Sequence, residues 1–104
     1  MNYFIIPGLK AGHSPIEIVR QISVASTYDV EVLLGNRRYG DLPDARHVAM
    51  YIIKKRCGIS LVKIAEMFNT DHSTVLKGIR KVNDGIYTQD KIIMEYLRRM
   101  DEVR

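Results

Sequence analysis

Residues 60–81, SLVKIAEMFNTDHSTVLKGIRK, constrain the fold more than any other stretch of this chain. Leu61, Ile64, Ala65 and Phe68 recur at spacings of three and four, which places one apolar stripe on one face of a helix. Ser60 stands just before that helix, where its oxygen can take a free backbone N–H of the first turn, a cap that contributes about 1 kcal/mol. Asn69 and Thr70 then break the pattern, both being types that hydrogen-bond their own backbone and favour turns. A second helix follows at once. Its inward stripe is Val75, Ile79 and Val82 with Leu76 at the flank, while Ser73, Lys77, Arg80 and Lys81 face outward and Asp71-His72-Ser73-Thr74 forms an exposed first turn. A short helix, a tight turn and a second helix with polar and basic residues exposed is the layout of a helix-turn-helix, whose second helix meets a DNA major groove with its N-terminus first.

The exposed residue types suit that task. An Asp accepts from cytosine N4, hydroxyls donate or accept, and a Thr methyl packs on the thymine methyl, so Asp71, His72, Ser73 and Thr74 are candidates for major-groove contacts. Lys77, Arg80 and Lys81 can neutralise phosphates. The segments DHSTV and KGIRKV, preceded by ARHVAMYIIKK and SLVKIAEMF, closely resemble the C-terminal DNA-binding domain, or domain IV, of the bacterial replication initiator DnaA. The similarity runs from about Ser14 to Val103.

Length and charge bound what such a domain can do. At 104 residues the chain can bury one helical core but not a nucleotide-binding module as well, and no glycine-rich phosphate loop occurs in it. The resemblance therefore covers only the DNA-binding end of the family, and implies a stand-alone domain without the ATPase module, or a fragment. The formal net charge of +4 is a weak argument for nucleic acid by itself. Its distribution is more telling, because residues 36–81 carry ten Lys or Arg against four Asp or Glu, leaving the remaining residues net negative. Cys57 is the only cysteine, so no intrachain disulfide can form, and a reducing cytoplasm is expected. The apolar run Tyr3 to Ile6 is too short to span a bilayer and has no basic segment before it.

In chain order, residues 1–13 read as an N-terminal arm and 14–104 as the domain. Ser14 and Pro15 open a helix whose inward face is Ile16, Ile18, Val19, Ile22 and Ala25, ending near Thr27 or Tyr28. Asp29 caps a short helix through Leu34, closed by Gly35. Asn36 to Leu42 form a polar loop with adjacent arginines. A solvated connector is the ordinary reading of such a loop, but the resemblance implies that Arg38 enters a narrow A·T-rich minor groove and Arg37 contacts phosphate. Pro43 opens the next helix, with Ala45, Val48, Ala49, Ile52 and Ile53 inward, Arg46, His47, Lys54 and Lys55 outside, and Gly58 at its end. There the resemblance implies phosphate roles for Arg46, His47 and Lys54, beside those of Lys77 and Lys81. Asn83-Asp84-Gly85 is a stop signal, and Thr88 caps a last helix with Ile92, Ile93, Tyr96, Leu97 and Met100 inward.

The expected fold is thus all-α, a bundle of about six helices of the DnaA C-terminal or Trp-repressor-like kind. The expected function is sequence-specific binding of double-stranded DNA at DnaA-box-like sites, in replication initiation or its regulation, in the cytoplasm and at the nucleoid of a bacterial or phage-infected cell. Three departures bear on the target. Only Asn69 and Thr70 separate Phe68 from Asp71, where the family usually has a glycine pair and an arginine; Ser73 stands for the usual threonine; and Ala45 and His47 replace a usual proline and glutamine. The missing arginine and the shortened turn motivate an alternative, a protein-interaction module that binds an initiator or other replication factor. His13, His47 and His72 are scattered, which disfavours metal, and adjacent Asp71, His72 and Ser73 point in different directions on a helix, which disfavours a catalytic triad. No cofactor, nucleotide or membrane partner is expected.

Overall fold

The computed structural model describes residues 14–102; the arm read over residues 1–13 lies outside the described residues, as do 103 and 104. Six helices make up the described part: α1 (Pro15–Ala25), α2 (Val30–Leu33), α3 (Leu42–Cys57), α4 (Leu61–Met67), α5 (His72–Thr88) and α6 (Lys91–Arg99). The all-α helix-turn-helix fold expected from the sequence is what forms, with α4 and α5 as the motif. No helix among the described residues is long and apolar enough to cross a membrane.

The bundle is built around α3, which touches every other helix. Its apolar residues explain why: Leu42, Ala45, Val48, Ala49, Met50, Ile52 and Ile53 are all buried, on more than one stripe, so this helix needs partners on several sides. Pro43 lies inside its first turn, one residue later than the sequence suggests, and Gly58 ends it at φ +66°, donating its N–H to the Lys54 carbonyl at 3.2 Å. Around it α1 buries Ile18, Val19 and Ile22, but Ile16 stays 37% exposed and the helix stops at Ala25. The early stop has a local cause. Ser23 Oγ donates to the Tyr28 carbonyl at 2.8 Å and Ser26 Oγ accepts from the Tyr28 N–H at 3.1 Å, so two serines hold the chain in a turn where a helix would have run on.

The connection from α4 to α5 is set by backbone hydrogen bonds. Ser60 Oγ accepts from the Lys63 N–H at 3.1 Å, as its position before the apolar stripe implies. At the other end the Thr70 N–H reaches the Ala65 carbonyl at 2.9 Å and the Asn69 N–H the Glu66 carbonyl at 3.3 Å. That double closure needs a left-handed residue between them, and Asn69 supplies it at φ +55°.

Beyond the motif the structure corrects the sequence reading. Asn83-Asp84-Gly85 does not stop α5, which continues to Thr88, and Thr88 does not cap α6 but donates its hydroxyl to the Asp84 carbonyl at 2.9 Å. Asp90 is the cap, accepting from the Ile93 N–H at 3.0 Å. Gly85 is buried where α5 meets α6; a Cβ there would lie 2.5 Å from Ile93 Cδ1 and 3.2 Å from Ile93 Cβ. The glycine makes room for α6 rather than breaking the helix. Ile93, Tyr96, Leu97 and Met100 face the core as expected, while Ile92 is 44% exposed.

Candidate nucleic-acid interface

The first turn of α5 projects into solvent with its backbone already organised. Asp71 Oδ1 accepts from the Thr74 N–H and from Ser73 Oγ, each at 2.8 Å, so the motif's acidic residue also caps the helix. Those bonds, the Thr74 N–H first, hold the Asp71 carboxyl down to about 2. Asp71, His72 and Ser73 are exposed and Thr74 is half-buried. Lys77, Arg80 and Lys81 continue the exposed face along the helix.

What sets the depth of α5 against α3 is Gly78. A Cβ on it would lie 2.7 Å from His47 Cδ2 and 3.3 Å from Met50 Sδ, so the two helices approach as closely as a missing side chain allows. A lone glycine within a helical pattern is the signal that could have announced this contact. The consequence for His47 is a correction, since its ring lies partly buried between the helices instead of outside. Burial first, then the charges of Lys81, Arg46 and Arg38, push its pKa down to about 4, and its Nδ1 is buried without a hydrogen-bond partner. At neutral pH the ring is uncharged.

Arg46 is the second correction. Expected outside, it is 8% exposed, and its guanidinium closes the C-terminal end of α2: Nε donates to the Leu33 carbonyl at 2.8 Å and Nη2 to the Val32 carbonyl at 3.0 Å. Helix ends present unsatisfied carbonyls, and a cation is well placed there. Burial, followed by the charge of Arg38, lowers the Arg46 pKa. Lys54 is exposed as expected, with Nζ donating to the Ile59 carbonyl at 3.0 Å.

Between the loop after α2, the start of α3 and the first turns of α5 lies a concavity of about 300 Å³, lined by Asn36, Arg38, Arg46, His47, Thr70, Thr74 and Lys81 among others. The structure therefore brings Arg38, Arg46, His47, Thr74 and Lys81 to one place, with Arg37 exposed beside them and Lys54 elsewhere on α3. Its charge is unbalanced. The ion pairs of the described residues, Arg20–Glu17, Lys55–Glu102, Arg56–Glu102, Arg98–Glu95 and Arg99–Glu95, involve none of Arg37, Arg38, Lys77, Arg80 or Lys81. Among the described residues the cations of this face form no ion pair, although Lys81 lies close enough to Asp44 to oppose the rise that burial imposes on its carboxyl pKa. Most of their charge is therefore available to an anionic ligand. Among the described residues no three His, Cys, Asp or Glu gather into a metal-binding group.

Three residues that the sequence reading did not single out hold the loop that carries Arg38. Asp41 accepts from the Tyr28 hydroxyl on Oδ1 at 2.5 Å and from the Tyr96 hydroxyl on Oδ2 at 2.9 Å. No local pattern announces this contact, because Tyr96 is 55 positions away.

Comparison with known proteins follows the same stretch of chain. The family described as bacterial dnaA protein helix-turn-helix matches over residues 15–82. Among similar curated proteins, the chromosomal replication initiator protein DnaA of Tropheryma whipplei (strain Twist) is 36% identical over 72 residues, covering 67% of this chain and 15% of that protein. The corresponding protein of Oenococcus oeni is 41% identical over 71 residues, covering 65% and 16%. That of Thermotoga petrophila is 32% identical over 89 residues, covering 85% and 20%. The chain thus spans about a sixth of the length of these relatives.

Proposed function

The chain belongs to the bacterial DnaA helix-turn-helix family, and from that premise we propose that it binds double-stranded DNA sequence-specifically, at DnaA-box-like sites, in replication initiation or its regulation. One observation carries the reading: the exposed, pre-capped first turn of α5 stands beside a set of cations that form no ion pair among the described residues. In this reading Asp71, His72, Ser73 and Thr74 touch base edges in the major groove and Arg38 lies in the minor groove. Arg37, Lys54, Lys77 and Lys81 hold phosphates from exposed positions. Arg46 reaches one through Nη1, the guanidinium nitrogen that its bonds to α2 leave over, and His47 joins it from the floor of the concavity. The setting is the cytoplasm and nucleoid of a bacterial or phage-infected cell.

The competing reading, a module that binds a replication protein, draws on the turn at Asn69 and Thr70, which lacks the family's arginine. The unpaired basic face argues against it, because a surface released from DNA has no reason to keep its charges clustered. Selection of bound duplexes from a random pool at near-physiological salt tests the proposal. Recovery of an asymmetric, A·T-flanked motif, lost on combining Arg38→Ala with His72→Ala while the domain stays folded, is the expected result. An undiminished activity in the double variant would refute it.

A further inference from the structure

The loop carrying Arg37 and Arg38 is anchored at both ends by side chains from three other parts of the bundle. On its N-terminal side the Arg46 guanidinium holds the carbonyls of Val32 and Leu33. On its C-terminal side Asp41 is gripped by the hydroxyls of Tyr28, which follows α1, and Tyr96 on α6. Between them the Tyr39 ring meets the Tyr28 ring edge-on, with centroids 5.9 Å apart at 66°. Gly40 sits at φ +53° directly under the Tyr28 hydroxyl, which a Cβ would approach to 3.0 Å.

Asp41 shows that this arrangement is more than a helix start. It occupies the N-cap position of α3, where an aspartate ordinarily accepts an N–H of the first turn, yet its side chain makes no cap bond. Both carboxylate oxygens are turned to the tyrosines instead. A two-tyrosine grip on one carboxylate does nothing for the end of α3 that a simple cap would not do; what it does fix is the position of the chain three residues after Arg38.

We propose that Tyr28, Tyr96 and Asp41, with Arg46 at the opposite end, form a positioning frame that pre-organises the Arg37-Arg38 loop for insertion into a minor groove, and so set the preference for A·T pairs there. This rests on the DNA reading above. A loop already held in its bound shape loses little conformational freedom on binding, so its arginine contributes more of its contact energy to affinity. The guanine N2 amino group fills the minor groove, which makes the benefit specific to A·T pairs.

The experiment uses the full chain and a selected duplex in three forms, with A·T, G·C or inosine·cytosine pairs at the step next to the major-groove contacts. Inosine·cytosine has the major-groove face of G·C and lacks the N2 amino group, so it isolates minor-groove reading. The expected result for Tyr28→Phe combined with Tyr96→Phe is a loss of roughly 3- to 10-fold on the A·T and inosine duplexes and little change on G·C. In an Arg38→Ala background the same tyrosine changes cause no further loss. An equal loss on all three duplexes, a full loss repeated in the Arg38→Ala background, or unchanged discrimination would each overturn the proposal while leaving the DNA reading in place. If Arg38→Ala itself leaves the A·T preference untouched, the minor-groove reading fails and the frame with it. Each phenylalanine removes only an oxygen, and Tyr28→Phe alone serves the same comparison if the double variant melts.

Discussion

Lowering the pH from 7 to about 4.5 perturbs chiefly one partly buried contact, His47 against Gly78. The Glu102 carboxyl, held below its ordinary 4.5 against burial by Lys55 and Arg56, enters only at the acid end. The ordinary imidazole value of 6.5 falls to about 4 in the folded protein, because burial and the cations Lys81, Arg46 and Arg38 all oppose a second proton. Between those two values the unfolded chain takes a proton that the folded chain refuses. The unfolded state therefore binds more protons, and stability that is complete above about 6.5 is lost as the pH falls towards about 4. At about 1.4 kcal/mol per unit the whole gap sets a ceiling of roughly 3.5 kcal/mol. The ring is only partly buried, so solvent screening reduces this to about 1.5–2 kcal/mol, or a drop in Tm of roughly 8 °C for a domain of this size. The Asp71 carboxyl, held down to about 2, gives up its contribution below its ordinary 3.8, so it does not blur this window. Urea denaturation at the two pH values measures the difference, and His47→Gln, which does not titrate, removes the His47 part of it. A wild-type stability flat across the window, or an undiminished fall in His47→Gln, would refute the reasoning. DNA adds a second readout. A phosphate near the ring favours the imidazolium, so duplex affinity should tighten on mild acidification by up to about tenfold, and not in the variant.

Gly85→Ala should cost about 1–2 kcal/mol in denaturant melts, because the clash with Ile93 Cβ outweighs the better helix propensity of alanine. Gln89, which ends α5 at φ +59°, is the opposite case: Gln89→Gly should raise stability by about 0.5–1 kcal/mol, and a lower Tm would refute the account of that turn. Duplex affinity should fall with salt at a log-log slope of roughly −4.5 to −5.5, from five or six phosphates neutralised, and a slope near zero would sink the electrostatic footprint.

The motif was legible in the sequence because its determinants are local. The Ser60 cap, the stripe ending at Phe68 and the break at Asn69 each act within one or two turns, and the structure places them as the spacing implies. Errors arose where a distant partner chose the residue. Gly85 beside Asn83 and Asp84 has the composition of a stop, yet it is selected by Ile93 across the helix interface. Arg46 and His47 belong outside by residue type, but the carbonyls of Val32 and Leu33 and the gap opened by Gly78 lie in other helices, and periodicity along α3 encodes neither. The same holds for Asp41, a loop residue by composition that stands at the N-cap of α3 and serves as a tether to two tyrosines from elsewhere in the chain. The proposed DNA contacts of Arg37, Arg38 and Lys54 rest on the resemblance, and those of Lys77 and Lys81 also on their outward positions along the motif helix; the structure adds that none of the five lies in an ion pair among the described residues.

The unbroken run of α5 from His72 to Thr88 makes the motif helix a lever. At 1.5 Å per residue, the seat at Gly85 lies about 20 Å from the tip at Asp71, with the Gly78 contact near the middle as a fulcrum. A change of one methyl group at the far seat swings the tip by a comparable distance in the opposite sense. If α5 reads DNA as proposed, its target preference can therefore drift through substitutions that never come near a nucleotide, beginning at the interface between α5 and α6.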